Sequence, residues 1–137
     1  MVFLKNVVTT LKALGDRTRL RIIKLLQHEP VCVCELVRIL GMSQSAVSRH
    51  LGILKSSGLI DDYRVGKWVF YYLNSDELCT ECNEIMQTLL DWLEKDKNLT
   101  HQDRQNLAKC IEDRGKGGCP VPDQFVIQQR ASKPEAN

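Results

Sequence analysis

Between residues 31 and 73 the chain runs through a short apolar-periodic segment, a glycine, a second such segment and two β-rich runs, an order that few folds accommodate. Leu36, Val37 and Leu40 recur at helical spacing from residue 31 to 40, and Gly41 ends that helix. Ser43 is a suitable N-cap for the next one. There Ala46, Val47, Leu51 and Leu54 share an apolar face, while Gln44, Ser45, Ser48, Arg49 and Lys55 lie mostly elsewhere. Gly58 stops it, and residues 59–65 and 68–73 read as two strands about Gly66-Lys67, a dipeptide suited to a hairpin turn. Two short helices joined by about four residues with a glycine, the second polar on one face, form the unit that sets a helix into the DNA major groove.

The flanks supply a core. Phe3, Leu4, Val7, Val8, Leu11 and Leu14 mark a first helix ending at Gly15; Asp16 caps a second, which buries Leu20, Ile22, Ile23 and Leu26 and stops near Pro30. Ser75 can cap a long fifth helix whose stripe of Leu78, Cys82, Ile85, Met86, Leu89, Leu90 and Leu93 is wider than one small domain needs. Past Lys95 the pattern weakens. Leu107, Cys110 and Ile111 suit one further short helix, and residues 115–137, with Gly117-Gly118 and three of the four prolines, read as a flexible tail. The expected fold is mainly α with a small β-hairpin, a winged helix-turn-helix. Residues 1–95 are expected to form one domain that carries the DNA-binding unit, and residues 96–137 a partly flexible C-terminal extension.

A net charge of +2 is too small to argue for nucleic acid by itself, so that case rests on local pattern. Ser43, Gln44, Ser45, Ser48, Arg49 and His50 are the candidates for the DNA face, Gln suiting adenine and Arg guanine. Lys55, Arg64 and Lys67 would meet phosphate. The helices alone equally suit a hairpin with a solvated face; the two strands that follow supply a wing with Arg64 and Lys67 near its tip. The N-terminus MVFLKNVVTT has no export-signal pattern and no apolar run is long enough to span a bilayer, so a cytoplasmic chain with no membrane partner is expected. Six cysteines in such a chain suit reduced thiols used as ligands or redox groups. Neither a phosphate loop nor a nucleophile with a positioned base is visible, so neither enzyme chemistry nor a catalytic cofactor is expected.

In LKALGDRTRLRIIKLL, CVCEL, SQSAVSRHLGILKSSGLI and GKWVFYYL, in that order, the chain closely resembles the ArsR/SmtB family of metal-responsive repressors, in its arsenical-resistance branch, over about residues 3–95. The resemblance implies a homodimer built through the first and fifth helices, binding double-stranded operator DNA at an inverted repeat and released by a ligand.

Cys32-Val33-Cys34 lies at the start of the third helix. Thiolates are soft ligands that favour As(III) or Sb(III), with Cd(II) or another soft metal as further candidates. Residues two apart in a helix point about 200° apart, so both sulfurs could grip one ion only if the first turn frays. The dipole there would favour thiolate. Ligation would then distort the turn and displace the helix-turn-helix. The plain alternative is two cysteines packed under a helix. Where the resembled arsenic-sensing pattern commonly has a third cysteine, this chain has Val37. The third ligand is left open between Cys110 and Cys119, with water or a small thiol as substitutes. Cys79 and Cys82 suit packing at a dimer interface, a thiol switch or an extra metal site. Asp91 has no histidine close by, which argues against a zinc-type site on the fifth helix. The function expected is a repressor of an arsenic- or metal-resistance operon. The alternatives are a thiol-redox-responsive repressor of the same fold, or a small thiol-based metal carrier or reductase.

Overall fold

The computed structural model describes residues 2–75, 78 and 80–122, with side chains from residue 6 onward. Its elements are α1 (Val2–Leu14), α2 (Arg17–Leu26), β1 (Val31–Cys32), α3 (Val33–Leu40), α4 (Gln44–Ser56), β2 (Ile60–Val65), β3 (Trp68–Leu73), α5 (Thr80–Glu94) and α6 (Lys97–Asp113).

The local signals explain the helix-turn-helix. Asp16 accepts the Arg19 amide at 3.0 Å and starts α2, whose Ile22, Ile23, Leu25 and Leu26 are buried. Gly41 ends α3 at φ 65°, a left-handed conformation that costs glycine nothing, and its N–H returns to the Val37 carbonyl at 3.0 Å. Two residues later the Ser43 hydroxyl accepts the Ala46 amide at 3.2 Å and opens α4. Val47, Leu51 and Leu54 then meet Ile22, Ile23, Leu36 and Leu59 in one core. Packing these fully buried side chains fixes α4 to the body of the domain, each contributing about 1.5–3 kcal/mol.

The β region is larger than expected. The pair β2–β3 is the anticipated hairpin, with Val65 opposite Trp68 and Gly66 at φ 63° in the two-residue turn. Residues 31 and 32, however, form a third strand and not the first turn of a helix: Val31 pairs with Tyr71 and Cys32 with Phe70, giving an antiparallel sheet of order β1-β3-β2. β-branched Val31 suits an extended chain, and the pairing covers the outer edge of β3.

The C-terminal extension also departs from expectation. In place of one short helix, α6 runs for 17 residues along α2 and α3, capped by Asp96. Leu107 and Cys110 enter the core, and ion pairs hold the flanks: Arg21 is bidentate to Asp103 (2.9 and 2.8 Å), Lys24 and Arg104 share Glu94, and Arg38 meets Asp113 at 3.0 Å. Residues 123–137 of the expected flexible tail lie outside the described residues. Among the described residues no helix is long and apolar enough to cross a membrane.

Candidate DNA-reading face and thiol site

Because Val47, Leu51 and Leu54 turn inward, Ser43, Gln44, Ser45, Ser48 and Arg49 stand exposed on the start and outer side of α4. Arg64 is exposed on β2; Lys67 is exposed in the turn, with its ammonium 4.9 Å from the Trp68 ring. Among the described residues Arg49, Arg64 and Lys67 make no ion pair, whereas the cations facing α6 are paired with carboxylates. The α4 and wing side therefore carries exposed positive charge that no carboxylate among the described residues neutralises, as a phosphate-binding surface requires.

Two expected DNA contacts sit differently. His50 is only 7% exposed, and its Nδ1 accepts from the Arg19 guanidinium at 3.2 Å, so the ring faces the α1–α2 junction and not a base edge. The helical face that carries Val47, Leu51 and Leu54 carries His50 with it. Lys55 is paired with Asp62 of β2 at 2.8 Å, which competes with any phosphate for its charge.

The second site lies where β1, α3 and the C-terminal extension meet. Cys32 ends β1 with φ −74° and ψ 152°, and Cys34 falls in the first turn of α3. Because the chain is extended at Cys32, the two side chains do not diverge as they would within a helix. The Cys34 thiol donates to the Cys32 sulfur at 3.2 Å with no fraying of the turn. Cys119 joins them, and the three sulfurs lie within 4.8 Å of one another. Cys110 is buried in the core and outside this group; Cys82 is buried on α5, and Cys79 lies outside the described residues.

Arg114 delivers Cys119. Its side chain, 2% exposed, meets both oxygens of Glu35 at 2.9 Å, Glu29 at 2.8 Å and the Pro30 carbonyl at 2.9 Å, and lies over the Phe70 ring. Glu35 in turn accepts the Cys32 amide at 3.0 Å. The Gly115 amide then bonds the Cys119 carbonyl at 2.8 Å, closing the turn that aims Cys119 at the pair. Charge-assisted, bidentate contacts of this kind hold position as well as charge. Sequence reasoning did not single out Glu29, Glu35 or Arg114, because partners 79 and 85 residues apart leave no local pattern.

Burial pushes the Cys32 thiol up to about 11, the neighbouring Cys34 adding to it. Cys119 is raised by burial and then by the negative charge of Glu35. At Cys32 the expected preference for thiolate is therefore reversed, since loss of solvent outweighs the helix start. An open cavity of about 420 Å³, lined by Cys34, Cys110, Cys119, Arg38 and Lys116, gives access from solvent. Three sulfurs, with no carboxylate or imidazole in the group, fit a soft thiophilic centre and not a hard cation.

The family model described as "Bacterial regulatory protein, arsR family" matches residues 16–62. The chain is 44% identical over 80 residues to the arsenic resistance transcriptional regulator ArsR2 of Pseudomonas putida, spanning 58% of this chain and 69% of that protein. It is 48% identical over 64 residues to the arsenical resistance operon repressor of Escherichia coli, spanning 46% of this chain and 55% of that repressor. A homodimeric winged helix-turn-helix DNA-binding domain from Mycobacterium bovis superposes with a TM-score of 0.57 at 27% identity, covering 73% of this chain and 87% of that one.

Proposed function

Since the chain belongs to the arsR family of bacterial regulatory proteins, we propose that it is a homodimeric operator-binding repressor of an arsenic-resistance operon, induced by As(III) or Sb(III) at Cys32, Cys34 and Cys119. The observation that carries this reading is the approach of three sulfurs to within 4.8 Å, at a point that touches both halves of the DNA-binding unit. Ser43, Gln44, Ser45, Ser48 and Arg49 would face the groove, and Arg64 and Lys67 the phosphates. Val8 and Leu11 on α1, with Ile85 and Trp92 (71% exposed) on α5, are large apolar groups left in solvent by a single chain, which supports pairing through those helices. Residues 1–95 would serve as the DNA-binding and dimerisation domain, and the docked extension as the carrier of the third sulfur.

A trivalent arsenic or antimony centre supplies up to three strong bonds to sulfur, and Cd(II) is the next candidate by softness. Cys32 is backbone-paired with Phe70 of the wing, and Cys34 belongs to α3, the helix just before the reading helix. Drawing both sulfurs toward Cys119 therefore strains β1 against β3 and moves the start of α3. Arg114 keeps Cys119 from yielding in their place. Either shift changes the angle between α4 and the wing, and two contact surfaces on one duplex tolerate little relative motion.

A redox-responsive repressor is the second reading, favoured by the 3.2 Å sulfur separation. Peroxide would oxidise two thiols to a disulfide and leave as two waters. The related proteins are regulators and not enzymes, which leaves the carrier or reductase reading without support. X-ray absorption at the arsenic edge tests the ligand set. The proposal expects three sulfur neighbours in the reduced protein, two after Cys119→Ser and three after Cys110→Ser. Three sulfurs retained in Cys119→Ser would overturn the assignment of Cys119.

A further inference from the structure

We infer that Arg19 and His50 are a positioning pair that sets the angle of α4 on the domain, so that His50 governs operator recognition without touching DNA. The inference rests on the reading of α4 as the DNA-reading helix. His50 is the one imidazole on α4, buried between the apolar residues that dock the helix. Its Nδ1 lies 3.2 Å from a terminal nitrogen of Arg19 and 3.9 Å from the Asp16 carboxylate, the two charged groups that face it. Arg19 is fixed in turn. Its Nε donates to the Ala13 carbonyl, its other terminal nitrogen to the Lys12 carbonyl at 3.2 Å, and its backbone amide to Asp16 at 3.0 Å.

The arrangement joins three elements at one guanidinium. The last carbonyls of a helix lack the amides of a following turn; Arg19 donates to that of Ala13 and shares that of Lys12 with the Gly15 amide. A guanidinium only donates, so in this contact Nδ1 of His50 is the acceptor. The planar fork reaches three acceptors in three directions at once, which a lysine ammonium on a flexible stem does not reproduce. The contact thus ties the reading helix to the end of α1, the helix through which the proposed dimer pairs. In such a dimer the same tie would set the separation and tilt of the two reading helices.

The test uses the full reduced chain, fluorescence anisotropy on a duplex from its own upstream region and on a random duplex, and nitrogen NMR of the histidines. His50→Asn, whose Oδ1 can stand near the Nδ1 position, is expected to keep operator preference within about threefold. His50→Leu and Arg19→Lys are expected to lose about tenfold or more of that preference, the scale of one lost hydrogen bond. Random-duplex affinity, helix content and dimer mass stay unchanged. The wild-type ring is expected to show an unprotonated Nδ1 and a protonated Nε2 at neutral pH, a readout that holds even if the leucine variant does not fold. Undiminished preference in His50→Leu, loss in His50→Asn equal to that in leucine, or a hydrogen on Nδ1 would each overturn the inference. If the wild-type protein itself did not prefer its upstream duplex, the reading of α4 would fall, a result distinct from failure of the pair.

Discussion

Replacing Arg114 with methionine isolates what the clasp contributes, because methionine keeps an apolar stem of similar length and removes only the charged fork. In the native chain the fork makes two contacts to Glu35 at 2.9 Å, one to Glu29 at 2.8 Å and one to the Pro30 carbonyl at 2.9 Å. Glu29 is a quarter exposed and recovers solvation readily; Glu35, 5% exposed, does not. Its carboxylate would be left buried, still accepting the Cys32 amide but without its charged partner. Breaking a buried pair by removing one partner costs about 3–5 kcal/mol. For a chain of this length each kcal/mol lowers the thermal midpoint by roughly 3 °C, so the expected fall is about 10 °C by circular dichroism. Hydrogen exchange should accelerate first in α6 and the turn after it. With Cys119 no longer held, arsenite affinity should fall to that of Cys119→Ser. A midpoint within about 2 °C of wild type, together with unchanged arsenite affinity, would refute the clasp.

Below about pH 9 Cys32 and Cys119 are thiols, because burial raises both. Capture of Cd(II) must then expel at least their two protons, and log affinity should rise by about two or more per pH unit between pH 6 and 8. Capture of As(OH)3 releases water and no net proton, so its affinity should stay flat over the same range; isothermal titration at several pH values distinguishes the two, and a steep arsenite profile would contradict the thiol assignment. In the metal-free protein the raised Cys32 stabilises the fold fully below the unfolded thiol value, and that contribution is lost as pH climbs toward about 11. Lys67→Ala is expected to weaken binding to all duplexes and to reduce the salt slope by about one, whereas Arg49→Ala should cost operator discrimination by about 1–3 kcal/mol. Equal losses on every sequence for both, measured by anisotropy across a salt series, would reverse the assigned roles.

The helix-turn-helix was legible because its determinants are local. Gly41, Ser43 and the spacing of Val47, Leu51 and Leu54 act within a few residues of one another, and Gly66 alone accounts for the turn of the wing. Strand β1 was not legible, since two residues beside a helix carry no periodicity and are defined by Phe70 and Tyr71, far along the chain. The length of α6 was hidden for a different reason. Beyond Leu107 and Cys110, what docks it includes ion pairs, Arg21 with Asp103 and Arg114 with Glu35, and charges on a helix read as solvated until their partners are seen. His50 was placed on the wrong side of α4 because a polar residue was taken for an exposed one, when Arg19 gives it a partner within the fold. The thiol pair was found by residue type, but its geometry rests on an extended Cys32, and the place of Cys119 on a contact made by Arg114.

Soft-ion capture and operator binding are expected to exclude one another, and anisotropy of labelled operator DNA during arsenite addition to reduced protein measures that exclusion directly. Wild-type protein is expected to let go as the thiol group fills, while the double variant Cys32→Ser, Cys34→Ser binds DNA as tightly and stays bound. Full retention of DNA by arsenite-loaded wild type, or normal release from the double variant, would contradict it.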